Sequence, residues 1–268
     1  MNKTIFITGA SQGLGKSAAK LFATKGWTVI ATMRNPEKET ELRQFPNVQL
    51  LKLDISNPTQ ITEVAQAAEK ISSIDVLFNN AGIGLAGPLE ATSDEQLNKL
   101  INTNLFGTIL VSKAFIPYFR KRNKGTIITT TSSTAYIPYP FIAVYEATKA
   151  ALEHWTSSMN YELDRFGVRV KTVVPGYMQT NFGNNGDFVA DPAYKEDFDK
   201  YVGVLMSEIS SFSDIPEDIA EVVYEAATDN KRKINYIAGN HATKEVAWLN
   251  SAGIDAVMKS MNKRFFGK

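Results

Sequence analysis

The chain has 268 residues, of which 44% are hydrophobic and 21% charged, with a formal net charge of +1 and no cysteine. Balanced charge gives no electrostatic basis for binding nucleic acid or an anionic membrane, and the lack of cysteine excludes disulfides, thiolate catalysis and zinc–thiolate sites. The only two histidines, His154 and His241, rule out a histidine-rich metal site, so no metal is expected.

Met1-Asn2-Lys3 leads directly into a strand with no apolar leader. No apolar run approaches the length needed to cross a bilayer. A cytoplasmic protein with no membrane partner is therefore expected. Apolar strand-like runs alternate with helical patterns along the chain, which predicts βαβ units on a parallel sheet. The first strand is expected at about Thr4 to Thr8 and the first helix at Gly13 to about Thr24, with Leu14, Ala18, Leu21 and Phe22 on one face. Gly26 fits the cap of that helix. A second strand spans Trp27 to Met33, and a short helix from Pro36 to Gln44 has proline near its first turn.

The third strand, Val48 to Leu53, ends at Asp54, and Asn57-Pro58 begins a helix to about Ile71. Asp75 to Phe78 is a fourth strand. A long helical region follows from Ser93 to about Tyr118, then a fifth strand from Gly125 to Thr131. A helix beginning near Ala143 runs to about Arg165. Val168 to Val174 is the sixth strand and Ile234 to Ile237 the seventh. One domain, residues 1–268, is the simplest reading, because there is no repeat, low-complexity tract or linker. The stretch from Tyr177 to Phe212 carries Phe182, Phe188, Tyr194, Phe198 and Tyr201 among acids and glycines; it reads as a mobile loop with short helices. A helical tail is expected over about 241–268, with Val246, Ala247, Leu249, Ile254, Val257 and Met258 available for packing.

Two motifs carry chemistry. The first is Thr8-Gly9-Ala10-Ser11-Gln12-Gly13-Leu14-Gly15, between a strand and a helix. Its glycines permit a tight turn and close approach to a pyrophosphate, and the helix end presents unpaired N–H groups. Gly9, Ser11, Gln12, Gly13, Leu14 and Gly15 are thus candidate cofactor contacts. The second is Tyr145-Glu146-Ala147-Thr148-Lys149. On a helix it places Tyr145 and Lys149 one turn apart on one face. A free phenol has a pKa of about 10, and an ammonium one turn away lowers it, which suits proton exchange with a substrate oxygen near neutral pH. Ser132 ends a β-branched strand thirteen positions earlier, although Thr131 and Ser133 also carry hydroxyls.

Together, Gly9 to Gly15, Asn79-Asn80-Ala81-Gly82, Ser132 and Tyr145/Lys149 resemble the short-chain dehydrogenase/reductase family in order and spacing. The resemblance runs from about Lys3 to Pro175-Gly176, and more loosely to Ile237. It is nearest in kind to carbonyl reductases and hydroxysteroid or retinol dehydrogenases. It implies an α/β, Rossmann-like, doubly wound parallel sheet of about seven strands flanked by helices. It also implies that Tyr145 is the general acid/base and that Lys149 lowers its pKa and binds the nicotinamide ribose. Ser132 would bind the substrate oxygen, and Asn104, followed by Gly107, would hold a water chain to Lys149. Asp54 resembles the aspartate that reaches the adenine amine, or else caps the turn before Asn57. Asn80, Ala81 and Gly82 would shape the cofactor wall, and Pro175, Gly176 and Thr180 would lie near the nicotinamide.

At the end of the second strand stands Ala31-Thr32-Met33-Arg34. No carboxylate is there to repel a 2′-phosphate, and Arg34 offers a bidentate fork, with Lys16 a second cation. NADP(H) is favoured, with NAD(H) the alternative. The expected reaction interconverts a ketone or aldehyde and an alcohol. The aromatic stretch suggests a hydrophobic small-molecule substrate, steroid-like, retinoid-like or an aryl carbonyl. The resemblance implies a homodimer or homotetramer. Rival readings are a non-enzymatic nucleotide-binding regulator on the same fold and a non-redox lyase or dehalogenase reusing Ser132 and Tyr145.

Overall fold

The computed structural model describes residues 2–180 and 186–267. Phe182 lies outside the described residues, as do Met1 and Lys268. Strand β1 (Thr4–Thr8) is buried along its whole length. Its Ile5 and Ile7 enter one apolar cluster with the helix α1 (Gly13–Thr24), and Phe6 enters a second cluster on the opposite face. Burial on both faces is why such strands read as continuous apolar runs.

Seven parallel strands make the main sheet: β1, β2 (Thr28–Met33), β3 (Val48–Lys52), β4 (Val76–Asn79), β6 (Gly125–Thr130), β7 (Val168–Pro175) and β9 (Asn235–Ala238), in the order β3-β2-β1-β4-β6-β7-β9. Ile5 pairs in register with Val29 on one side and Val76 on the other. The order reverses there, so connections leave β1 and β4 in opposite directions and open a crevice at their carboxyl ends. Helices α1 and α7 (Pro216–Thr228) cover one face. Helices α2 (Pro58–Ile71), α4 (Thr108–Arg122) and α5 (Ala143–Leu163) cover the other. This is the single doubly wound, Rossmann-like unit expected from the alternating pattern. A second sheet pairs β5 (Leu85–Ala86) with β8 (Asp187–Phe188).

Several elements differ from the sequence reading. The segment 36–44 is not one helix but two 3₁₀ turns, Pro36–Lys38 and Leu42–Gln44. The buried Glu39 carboxylate accepts the N–H groups of Glu41 and Leu42, which occupies the donors a continuing helix would use. The region expected as one helix from Ser93 is α3 (Asp94–Ile101), a π turn over Asn102–Gly107, and α4. Helix α4 runs past Pro117 to Arg122, because the Pro117 position and Lys113, whose carbonyl the proline leaves unpaired, both face solvent.

The largest correction concerns Tyr177 to Phe212, where an 18-residue helix, α6 (Lys195–Phe212), replaces the expected loop with short helices. Phe198, Tyr201, Val202 and Leu205 recur at i, i+3, i+4 and i+7 and pack into a separate apolar cluster. Helix α7 had no counterpart in the sequence reading. The tail is helical as expected, as α8 (Asn240–Ala252) and α9 (Ile254–Phe266). Its buried anchors are Val257, Met261 and Phe265, whereas Ala247, Ile254 and Met258 are exposed. Among the described residues, no helix is long and apolar enough to cross a membrane.

Candidate active site

The crevice at the carboxyl ends of β1 and β4 is floored by the glycine turn. Gly9 has φ +69°, and a Cβ there would lie 2.7 Å from Ala81 Cα. A Cβ on Gly15 would lie 2.5 Å from Asn80 Nδ2 and closer still to the Gly9 carbonyl oxygen. The turn is tied down from β4. Thr8 Oγ1 accepts the N–H groups of Asn80 (3.0 Å) and Ala81 (3.1 Å), and Asn80 Nδ2 donates to Gly9 O (3.2 Å). Helix α1 then begins with no side-chain cap and no acid in its first turn. Its unpaired N–H groups and positive dipole end therefore face the crevice, as an anionic pyrophosphate requires. Thr180 lies over the turn, with its methyl 3.0 Å from where a Gly13 Cβ would stand. Ser11 is exposed, but the Leu14 side chain is buried in the core, so only its backbone is available to a ligand. A cavity of 570 Å³ opens alongside, lined by Gly13, Lys16, Ser17, Gln179, Thr180 and Glu217 among others.

Arg34 is exposed at the end of β2. Lys16 is not the free cation the sequence suggested. Its ammonium is paired with Glu39 (3.0 Å) and Glu41 (2.9 Å), and Lys20 pairs with Glu41 as well. The two 3₁₀ turns fold Glu39 and Glu41 back against α1, where they neutralise Lys16 and Lys20. Hydrogen bonds from Lys16 and Lys20 hold the Glu41 carboxyl down at about 2. Asp54 Oδ1 accepts both the N–H (2.9 Å) and the hydroxyl (2.7 Å) of Ser56, so it caps this turn.

The second wall is built by β6 and α5. Ser132, just beyond β6, caps the 3₁₀ turn Ser133–Ala135 by accepting the Thr134 N–H at 3.2 Å. It also shares a hydrogen bond with the Tyr145 hydroxyl. Its two neighbours are committed elsewhere, Thr131 to Glu153 and Ser133 to Glu245. Lys149 is 4% exposed; its Nζ donates to Thr130 O at 3.1 Å and stands 5.7 Å from the Tyr145 ring centroid.

Burial pushes the Tyr145 phenol up to about 12, against a lowering by Ser132. The expectation of a phenol lowered by Lys149 is corrected here: desolvation of a phenolate outweighs an ammonium that is turned to a backbone carbonyl. Burial likewise brings Lys149 down to about 8, opposed by the Glu153 carboxylate.

Asn104 lies in the π turn, 1% exposed, with its carboxamide spent on both backbone groups of Ile83 at 2.9 Å. Asn102 is exposed. A Cβ on Gly82 would stand 3.3 Å from Asn104 Oδ1 and 3.8 Å from Lys149 Nζ, so the three residues are neighbours. Gly176, next to the buried Pro175, packs so closely on His241 and Ala242 that a side chain has no room. His154 is exposed on the far side of α5. Among the rival tyrosines, Tyr136 is hydrogen-bonded to Glu153, Tyr139 to Glu245, and Tyr161 is 90% exposed. Tyr145, Val144, Leu97 and Val189 pack against the buried cluster of Ile83, Leu85 and Leu100, and Val189 is held by its N–H bond to Ala86 O (2.8 Å) beside β5.

Two acids were missed in the sequence. Glu153, four residues past Lys149, collects Thr131, Thr172 (3.1 Å), Asn235 (2.5 Å) and Tyr136. Its helical spacing from Lys149 was a usable signal. Glu245 carried only the i,i+4 spacing from His241, because the two hydroxyls bonded to it lie more than 100 residues away.

A sequence model of the family described as short chain dehydrogenase matches residues 3–187. The 3-ketodihydrosphingosine reductase of Bacteroides thetaiotaomicron is 35% identical over 198 residues, covering 72% of this chain and 71% of that protein. A short-chain dehydrogenase from Streptomyces avermitilis superposes with a TM-score of 0.85 at 28% identity, over 99% of this chain and 98% of its own. One from Burkholderia cenocepacia, solved in complex with NADP, has a TM-score of 0.78 at 26% identity, over 97% of each chain.

Proposed function

The chain belongs to the short-chain dehydrogenase family, and from that premise we propose that it reduces a ketone or aldehyde to an alcohol with NADPH. The observation that carries this reading is the convergence of Ser132 and Lys149 on Tyr145, beside a glycine turn shaped for a pyrophosphate. A bound nicotinamide supplies the hydride. The protein supplies the proton and the oxyanion contacts. A phenol with a pKa of about 12 is protonated at neutral pH, which suits Tyr145 as the acid that protonates the carbonyl oxygen. Ser132, whose oxygen already accepts the Thr134 N–H, turns its own hydrogen to that oxygen as negative charge develops. The phenolate left on Tyr145 is buried, and the nearby Lys149 ammonium offsets its charge.

The role of Lys149 sets a pH dependence. Its pKa is lowered from the ordinary 10.5 to about 8, so the ammonium is present below pH 8 and lost above it. Reductive kcat/KM is expected to fall as pH rises through about 8. A pH–rate profile that stays level well beyond that point would remove Lys149 from this role.

An apolar body on the substrate is the matching choice. Tyr145 packs with Val144, Leu97 and Val189 against one apolar cluster of Ile83, Leu85 and Leu100, and the Bacteroides relative is by name a 3-ketodihydrosphingosine reductase. Self-association into a dimer or tetramer goes with the same reading: Phe106, in the π turn before α4, and Tyr161 on α5 stand exposed on neighbouring elements.

NADPH preference is tested first. Arg34 is the exposed guanidinium at the end of β2, and a bidentate bond from it to a 2′-phosphate is worth about 1.5 to 3 kcal/mol. Arg34→Ala is therefore expected to weaken NADPH roughly 10- to 100-fold and leave NADH unchanged, as read by cofactor fluorescence titration. Equal binding of both cofactors by the wild-type protein would assign NAD(H) instead.

A further inference from the structure

The serine that faces Tyr145 is held from both sides. Thr131, before it, donates to Glu153 on α5, and Ser133, after it, donates to Glu245 Oε2 on α8 at 3.1 Å. Glu245 is 6% exposed, and its other oxygen accepts the Tyr139 hydroxyl. One carboxylate of the C-terminal tail therefore ties down both ends of the loop 133–139. His241 Nε2 (3.6 Å) and Arg264 Nη1 (3.9 Å) face the same carboxylate. Arg264 is primarily bonded to Glu208 of α6, so the two hydroxyls are the short contacts of Glu245.

The loop needs such an anchor. Ser132 caps a 3₁₀ turn of three residues, Ser133–Ala135, and a single turn has no stability of its own. The position of Ser132 Oγ depends on that turn, because the oxygen accepts its Thr134 N–H. The first residue of the turn, Ser133, is the one bonded to Glu245. Charge-assisted bonds from two hydroxyls to one buried carboxylate are strong and directional. Truncation of that acid frees the turn and, with it, the direction in which Ser132 points.

We propose that Glu245 is a positioning residue for Ser132, so that the C-terminal helix pair supports the oxyanion side of the active site. This rests on the reading of Ser132 and Tyr145 given above. Displacements of about 1 Å at a reacting group are enough to cost large factors in rate.

The test is a double-mutant cycle on kcat for NADPH-dependent reduction of a ketone or aldehyde chosen from a panel. Ser133→Ala and Glu245→Ala are each expected to lower kcat on the order of tenfold, with NADPH affinity unchanged. In a Ser132→Ala background both are expected to have almost no further effect, because they act through that hydroxyl. Glu245→Gln keeps an acceptor oxygen and the side-chain shape, and should recover most of the loss.

Equal loss with and without Ser132 would mean a general structural role and overturn the proposal. So would an unchanged kcat in Ser133→Ala when Ser132→Ala is impaired. If Glu245→Ala does not fold, the cycle of Ser133→Ala with Ser132→Ala still decides. Full activity of Ser132→Ala, or no NADPH-dependent turnover by the wild-type protein on any carbonyl tried, would instead sink the underlying reading and this one with it.

Discussion

Tyr145→Phe is expected to lower reductive turnover by roughly 10³-fold, within the range associated with loss of a general acid, and to leave NADPH binding within about twofold. Phenylalanine fills the same space, so the packing of this side chain against the cluster of Ile83, Leu85 and Leu100 is retained. Only the hydroxyl that bonds Ser132 is lost. Neither neighbour can substitute for it. Ser132 is a much weaker acid, and the Lys149 ammonium is directed to the Thr130 carbonyl. The assay is NADPH oxidation against a panel of ketones and aldehydes, with cofactor fluorescence as the control for folding. Retained turnover would sink the assigned chemistry whatever the cofactor result.

Gly15→Ala is expected to abolish useful NADPH binding, weakening it by roughly 100-fold or more, and to lower Tm by about 5 °C. The added Cβ would meet the Gly9 carbonyl and Asn80 Nδ2. Neither can retreat: Asn80 is itself bonded to Thr8 O and Gly9 O, and Gly9 is pressed against Ala81. Overpacking of this kind costs about 1 to 3 kcal/mol, which in a chain of this size moves Tm by a few degrees. The turn has to open to admit the methyl group, and its N–H groups then no longer converge on a phosphate. Gly203→Ala is the control. It lies within α6 with open space around it, so it should be neutral or slightly stabilising. Wild-type NADPH affinity in Gly15→Ala would show that the turn is not the cofactor's cradle.

How far the sequence reveals the molecule depends on which forces are local. The sheet was legible because parallel strands buried on both faces are short apolar runs, and the glycine turn because its conformational demand is written in three residues. Tyr145 and Lys149 were legible because their helical spacing occurs together with the glycine turn and Ser132, not from the spacing by itself. Helix α6 was not. Its buried face of Phe198, Tyr201, Val202 and Leu205 packs on α9, far away in sequence, and the intervening acids and Gly203 obscured the period. Helix α7 carries a usable pattern in Ile219, Ala220, Val223 and Ala226 behind an N-terminal proline. The pairing of Lys16 with Glu39 and Glu41 depends on how two irregular turns fold back, which no periodicity encodes. The high pKa of Tyr145 follows from burial, a property of the assembled walls. The environment of Ser132 required two carboxylates, Glu153 and Glu245, contributed by different helices.

The covering of α1 by α7 also fixes a timetable. Phe22 of the first helix meets Tyr224 with ring centroids 5.1 Å apart, and Ser17 bonds Glu217 at 2.8 Å, across 200 residues of chain. A ribosome adding 5 to 20 residues per second therefore leaves the apolar side of α1 bare for about 10 to 40 s before its cover is made. The nucleotide cradle is synthesised about 200 residues ahead of the helix that covers α1, so it is made early relative to its own completion. A nascent chain halted before residue 216 presents Phe22 and Ala18 to whatever is nearby, so in the cell chaperone capture is the expected fate of unfinished chains.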